Sequence, residues 1–254
     1  MSPTSKNETE LPPAGRSLRI GNFRSSAAQF LGALVLMLVA APFLDDIRHG
    51  ETVEVALMTL VLATGVLAVG RSHRTMVLAL VLALPAVLAR WISHFHPDWV
   101  PPVVHNITAL LFIGFVEFQL LHFIFRARRV ISDVLCAGIS GYLLLGILFM
   151  LLFRLVSLLN PADAAHGLPG AFSFNLAGAA AHDLSRFEAY YFSFITLSTV
   201  GYGDISPLSN GARTLAMTEA MTGTLYMAVL ISRLVSLYSS EHQNAGANDR
   251  TGVN

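Results

Sequence analysis

The chain has 254 residues, of which 54% are hydrophobic and 13% charged, and its mean hydropathy is +0.61. That is too apolar for an ordinary soluble domain, and a formal net charge of zero offers no electrostatic footprint for a nucleic-acid partner. The single cysteine, Cys136, excludes an intrachain disulfide framework and reads as a small apolar packing residue.

Residues 1–26 are polar and lack the apolar core of a cleavable signal peptide, so they are expected to remain as a tail. Apolar runs long enough to cross roughly 30 Å of hydrocarbon then follow one another. The first, 27–44, carries no charge. The second, 52–70, has Glu54 near one end, and the third, 75–92, contains Pro85 and an Arg90 placed to snorkel. The fourth is 103–125, and 27–125 together form a four-helix membrane unit. A linker at 126–133 leads to the fifth span, 134–159, interrupted only by Arg154. Residues 160–183, rich in Gly, Ala and Pro, are expected to form an irregular extracellular loop. The sixth span, 214–238, contains Glu219 and Arg233 and closes a pore unit of 134–238. The tail at 239–254 is too short for a ligand-binding regulatory domain.

Six spans put both termini on one side. Lys6, Arg16, Arg19 and Arg24, then Arg71 and Arg74, then Arg126, Arg128 and Arg129 all fall on that side, whereas the opposite loops are acidic or mixed, with Asp45, Asp46, Arg48, Glu51 and Asp98. Short loops rich in Lys and Arg stay cytoplasmic, so both termini are expected there.

Between spans five and six, Ser185 and Glu188 make a capping-box pattern ahead of the aromatic run Tyr190, Tyr191, Phe192 and Phe194. The helix 185–198 is too short to span. It must enter the membrane and turn back, which requires a backbone buried in protein or lining a water-filled path. TVGYGD follows at 199–204.

The passage YFSFITLSTVGYGDISP, Tyr191 to Pro207, resembles the pore loop of potassium channels, whose TVGYG loop is the best-known carbonyl filter. The resemblance implies an all-α integral membrane fold with six transmembrane helices per subunit. It also implies a re-entrant pore helix and filter loop between spans five and six, and a homotetrameric pore. The carbonyls of Thr199, Val200, Gly201 and Tyr202, with the Thr199 hydroxyl, would bind K+ as the permeant ion; Gly203 completes the filter and Asp204 lies at its outer mouth. No cofactor is implied. Gly201 and Gly203 supply backbone angles that a side chain would oppose. Tyr191, Phe192, Ile195 and Thr196 would support the filter, with the Tyr202 ring turned from the axis and packed near Tyr191 and Phe192.

The sequence departs from the best-known relatives in three places. Tyr191 and Phe192 stand where a tryptophan pair is frequent, and Ile195 stands where some relatives carry an acid, so no carboxylate pair with Asp204 can form. The fourth span lacks the arginine ladder of voltage sensors: Arg126, Arg128 and Arg129 sit at its edge, where little of the roughly 2.3 kcal/mol per charge per 100 mV is available. Those arginines read as lipid-headgroup contacts on an amphipathic linker in which Arg129 and Asp133 are spaced as a helix pair.

Gly223 suits either a gating hinge or close helix packing. Glu219 and Arg154, the deepest ionisable residues of the pore half, form a candidate intramembrane pair. Glu117 and His122 read as polar contacts rather than sensors, and His94, His96 and His105 form an external cluster with weak ligand spacing. A GxGD-type intramembrane protease is the enzyme alternative, but no second aspartate lies mid-span at the level of Asp204. A non-conducting regulatory subunit is the other. A bacterial plasma-membrane location follows from the resemblance alone.

Overall fold

A hydrocarbon layer offers nothing to bond a peptide group, so long apolar segments enter it only as structures that pair their own backbone. The computed structural model describes residues 20–44, 50–70, 73–126, 132–162, 170–175 and 182–251, with side chains in these stretches apart from 20–26, 132 and 237–251. Six of its helices are long and apolar enough to cross a membrane: α1 (Ile20–Leu44), α2 (Gly50–Val69), α3 (His73–Phe95), α4 (Pro102–Arg126), α5 (Ser132–Leu159) and α7 (Asn210–Thr251). The chain is thus a multi-pass, all-α membrane protein, with one small ribbon as the exception. Between α5 and α7 lies α6 (Arg186–Leu197), whose 12 residues reach only about 18 Å.

The ribbon corrects the expectation of an irregular loop over 160–183. Within that segment β1 (Phe172–Phe174) pairs antiparallel with β2 (Ile205–Pro207), Ser173 facing Ser206. Two three-residue strands pair because each lies beside the other's unpaired backbone where α6 turns toward α7, and Phe172 gains burial there. The helix ends also differ from expectation. α1 begins at Ile20, inside the expected tail, and α7 continues to Thr251, since no proline interrupts the polar stretch beyond 238.

α1 to α4 pack in succession, and α4 and α1 both lie on α5, so the first four helices lean on the second part of the chain through α5. Phe30, Leu34, Leu62, Phe112 and Ile113 fill the first part of the core, and Leu144, Ile147 and Phe153 the second. α6 is wedged between α5 and α7. α3 and α7 leave apolar side chains uncovered, including Leu84 and Val81 on the former and Met217, Met221 and Leu225 on the latter, a surface suited to lipid or to another copy.

Several expectations lie outside the described residues: the lipid contacts of Arg128 and Arg129, the Arg129 to Asp133 pair, and the loop charges Lys6, Arg16, Arg19, Asp45, Asp46, Arg48 and Arg71. Arg126 closes α4, and Asp133 lies in the first turn of α5.

Candidate functional site

The short helix is fixed at its start by local chemistry. Ser185 has extended backbone and its hydroxyl accepts from the Glu188 N–H at 3.2 Å, while Glu188 Oε2 accepts from the Ser185 N–H at 2.7 Å, completing the predicted capping box. His182 Nε2 stands 3.0 Å from Glu188 Oε1. Burial works against the Glu188 charge, but the hydrogen bonds from His182 and Ser185 outweigh it and hold the carboxyl below its usual range. Arg186, the first helical residue, pairs with Glu54 of α2, whose other oxygen is 3.7 Å from Arg90 Nη2 of α3.

At its other end α6 hands its free carbonyls to the loop that follows. The Thr196 carbonyl accepts from the Thr199 N–H at 2.9 Å, and the Ile195 carbonyl accepts from the N–H groups of Val200 at 2.9 Å and Gly201 at 3.2 Å. Ile195 and Thr196 therefore support 199–201 through their backbone. Positive φ recurs at alternate residues, 60° at Thr199, 52° at Gly201 and 80° at Gly203. Such alternation turns every second peptide plane, so that successive carbonyls fall on the same side. Nothing stands within 4 Å of a Cβ built on either glycine, so the left-handed angle and not space demands glycine. Thr199 holds the same angle with a β-branched side chain, a conformation of about 1–3 kcal/mol that its neighbours over-determine.

Beyond the turn, Asn175 clamps the exit: its Nδ2 donates to the Gly203 carbonyl at 2.6 Å and its N–H to the Asp204 carbonyl at 2.7 Å. The Tyr191 hydroxyl donates to Asp204 Oδ2 at 2.7 Å. That bond pushes the tyrosine up to about 12, with burial and the Asp204 charge adding to it. Within the single chain, the aromatic residues expected around Tyr202 divide. Phe192 turns to Phe153 and Phe172, at ring distances of 4.9 and 5.5 Å, and Tyr202 stays 73% exposed, because the α5 side of α6 offers the apolar surface.

The proposed Arg154 to Glu219 pair is also corrected. Glu219 is fully buried on α7 and stands 2.5 Å from the hydroxyl of Ser193, which lies 2.7 Å from the Gly146 carbonyl of α5. A hydroxyl carries one proton and a carbonyl can only accept, so both contacts are satisfied together when Glu219 is the neutral acid. Arg154 faces a different set, lining a cavity with Glu54, Arg90 and Arg186. Gly223 lies against the end of α6, where an added Cβ would stand 2.4 Å from the Leu197 carbonyl, and α7 runs through it without a break.

Sequence reasoning missed Ser193, Asn175, Glu54 and Arg186. Ser193 had a signal, being the one small polar residue in the aromatic run Tyr190 to Phe194; the other three take their roles from contacts across the chain. The histidines expected to cluster go three ways: His94 bonds Thr52 at 3.1 Å, His96 stacks on Trp99 at 4.8 Å, and His105 faces the arginine cavity. Among the described residues no group of His, Cys, Asp or Glu gathers as a metal site. His122 stacks on Phe118, and Glu117 is buried beside Gly141 with neither oxygen bonded among the described residues.

Residues 165–240 match the family described as "Ion channel", a stretch that takes in α6, the turn and most of α7. Two-pore potassium channel 4 of Arabidopsis thaliana is 41% identical over 58 residues, 23% of this chain and 20% of its own. Protein LctB of Geobacillus stearothermophilus is 34% identical over 96 residues, 37% of this chain and 63% of its own, and two pore potassium channel c of Oryza sativa subsp. japonica is 31% identical over 90 residues. The chain thus spans less than two thirds of the length of these curated relatives. No solved structure matches. The chain thus joins a short helix, a turn of alternating positive φ and six membrane-capable helices, and over part of its length it is similar to ion channels and to curated potassium channels.

Proposed function

We propose that four copies of this chain enclose a potassium-selective pore that conducts K+ passively across the membrane. The observation that carries it is the alternating positive φ at Thr199, Gly201 and Gly203, on a loop tied back to α6 through Ile195 and Thr196. A dehydrating cation needs oxygens in place of water, and a row of carbonyls facing one axis supplies them. The carbonyls of Thr199, Val200, Gly201 and Tyr202 and the Thr199 hydroxyl are the K+ ligands, and Asp204 stands at the outer mouth.

The pore helix ends at Ser198, and its C-terminus brings a partial charge of about −0.5 that favours a cation. One chain offers one row of carbonyls, so an axial site needs closed cyclic assembly. The exposure of Val200 and Tyr202 and of the apolar face of α7 is consistent with surfaces that neighbouring copies cover. In this arrangement α6 is re-entrant, both termini are cytoplasmic, the membrane is a bacterial plasma membrane, and voltage dependence is weak because α4 carries no Lys or Arg before Arg126. The test is the reversal potential in planar bilayers containing purified protein, with K+ on one side and Na+ on the other. A potential near the potassium equilibrium value is expected, and one near zero refutes the proposal.

A further inference from the structure

Three arginines from three helices, Arg90 of α3, Arg154 of α5 and Arg186 of α6, line one cavity of about 40 Å³, with Glu54 of α2 as the carboxylate among them. Both oxygens of Glu54 are already engaged, one by Arg186 and one by Arg90. Arg154 makes no hydrogen bond or ion pair among the described residues. Glu51, the next carboxylate, has a side chain 83% exposed and lies at the rim. Three guanidinium groups against one carboxylate leave two positive charges uncompensated among the described residues, in a partly buried setting where an unpaired charge is costly. His105 adds a buried Nδ1 with no hydrogen-bond partner.

The chemistry that completes such a site is an anion with several oxygens. Guanidinium forks match the oxygens of a phosphate, and a cavity walled by Met58, Leu62 and Ala109 suits a group whose charge is paired on entry. A second cavity of about 30 Å³ shares Met37, Glu54, Met150 and Arg186 with the first and continues past Ala41, Leu44 and Phe187. An apolar groove leading from a basic cavity fits a molecule that carries a phosphate on a hydrocarbon chain. We propose that the cavity between Arg90, Arg154 and Arg186 binds a phosphate group, that of an anionic phospholipid whose acyl chain lies along α1, and so holds the start of the pore helix to the first four helices.

The test uses the full-length, delipidated protein in detergent, titrated at constant ionic strength with phosphatidylglycerol, with diacylglycerol of the same chains, and with inorganic phosphate, reading the thermal midpoint. Saturable stabilisation by phosphatidylglycerol and none by diacylglycerol is expected. Arg154→Gln, which leaves no protein group without its partner, should weaken the half-saturating concentration roughly tenfold, the worth of one charge-assisted hydrogen bond. Arg74→Gln, at the opposite end of α3 from Arg90, should leave it unchanged. Saturable stabilisation by inorganic phosphate that Arg154→Gln also weakens supports the same site with a free anion as occupant. Equal effects of phosphatidylglycerol and diacylglycerol on the wild type overturn the proposal, as does an Arg154→Gln protein that binds like the wild type. The comparison of the two lipids needs no variant and requires no current, so its outcome is separable from that of the conduction experiment.

Discussion

Asp204 has one carboxylate oxygen on the Tyr191 hydroxyl and the other buried without a hydrogen-bond partner among the described residues. Tyr191→Phe therefore leaves both oxygens unbonded at the exit of the turn. A hydrogen bond to a charged group is worth about 1.5–3 kcal/mol, and partial exposure of Tyr191 reduces this to about 1 kcal/mol. The thermal midpoint of the assembled protein should fall by a few degrees, and an unchanged midpoint would show the contact to be idle. The tyrosine is raised from 10.0 to about 12, so its contribution is complete below pH 10 and is lost only as pH rises through about 12. Glu188 behaves oppositely. Its value is lowered from 4.5, so its capping of α6 is present above pH 4.5 and lost as pH falls through the lowered value. Glu188→Ala should cost about 1 kcal/mol at pH 7 and flatten the acid limb of a plot of midpoint against pH.

Among the elements, the junction of α5, α6 and α7 rests on Ser193, Glu219, Gly146 and Gly223. Glu219→Gln keeps a donor for the Ser193 hydroxyl and should stay within about 1 kcal/mol of wild type, whereas Glu219→Ala should cost about 2–3 kcal/mol by leaving the hydroxyl beside a void. If the two variants are equally damaging, the junction needs an ionised carboxylate instead. At Gly223 a Cβ would press on the Leu197 carbonyl, and Gly223→Ala should cost about 1–3 kcal/mol of overpacking. A hinge role would instead alter open probability in single-channel recordings and leave the thermal midpoint unmoved. Both hinge and packing suit a glycine at this place in a sequence, and what separates them is the distance to α6.

For the whole molecule, the tie between the two halves is electrostatic at one end and apolar along α5. Glu54 holds Arg186 of α6 and faces Arg90 of α3, so Glu54→Gln strands two guanidinium groups while Arg186→Gln strands none. The first variant should lower the thermal midpoint clearly more than the second, and a double variant should recover part of the loss. Equal losses would mean that the contact and not the stranded charge carries the effect.

The six spans were legible because hydropathy reports depth in a hydrocarbon layer, and depth is a property of a local window: the observed candidate helices coincide with the apolar runs to within a few residues. The capping box of α6 and the glycines of TVGYGD were legible for a similar reason, since each is a backbone requirement met within six residues. What the sequence could not supply was rotation about each helix axis. Arg154 and Glu219 lie in the neighbouring helices α5 and α7, yet one faces Glu54 and the arginines of α3 and α6, and the other faces Ser193. Phe192 turning toward Phe153, β1 finding β2 and the three histidines parting company are further cases. The TVGYGD turn was thus written in consecutive residues, while its supports at Asn175, Tyr191 and Ser193 were decided by tertiary packing, because partners far apart in the chain meet only once the helices have settled their azimuths against one another.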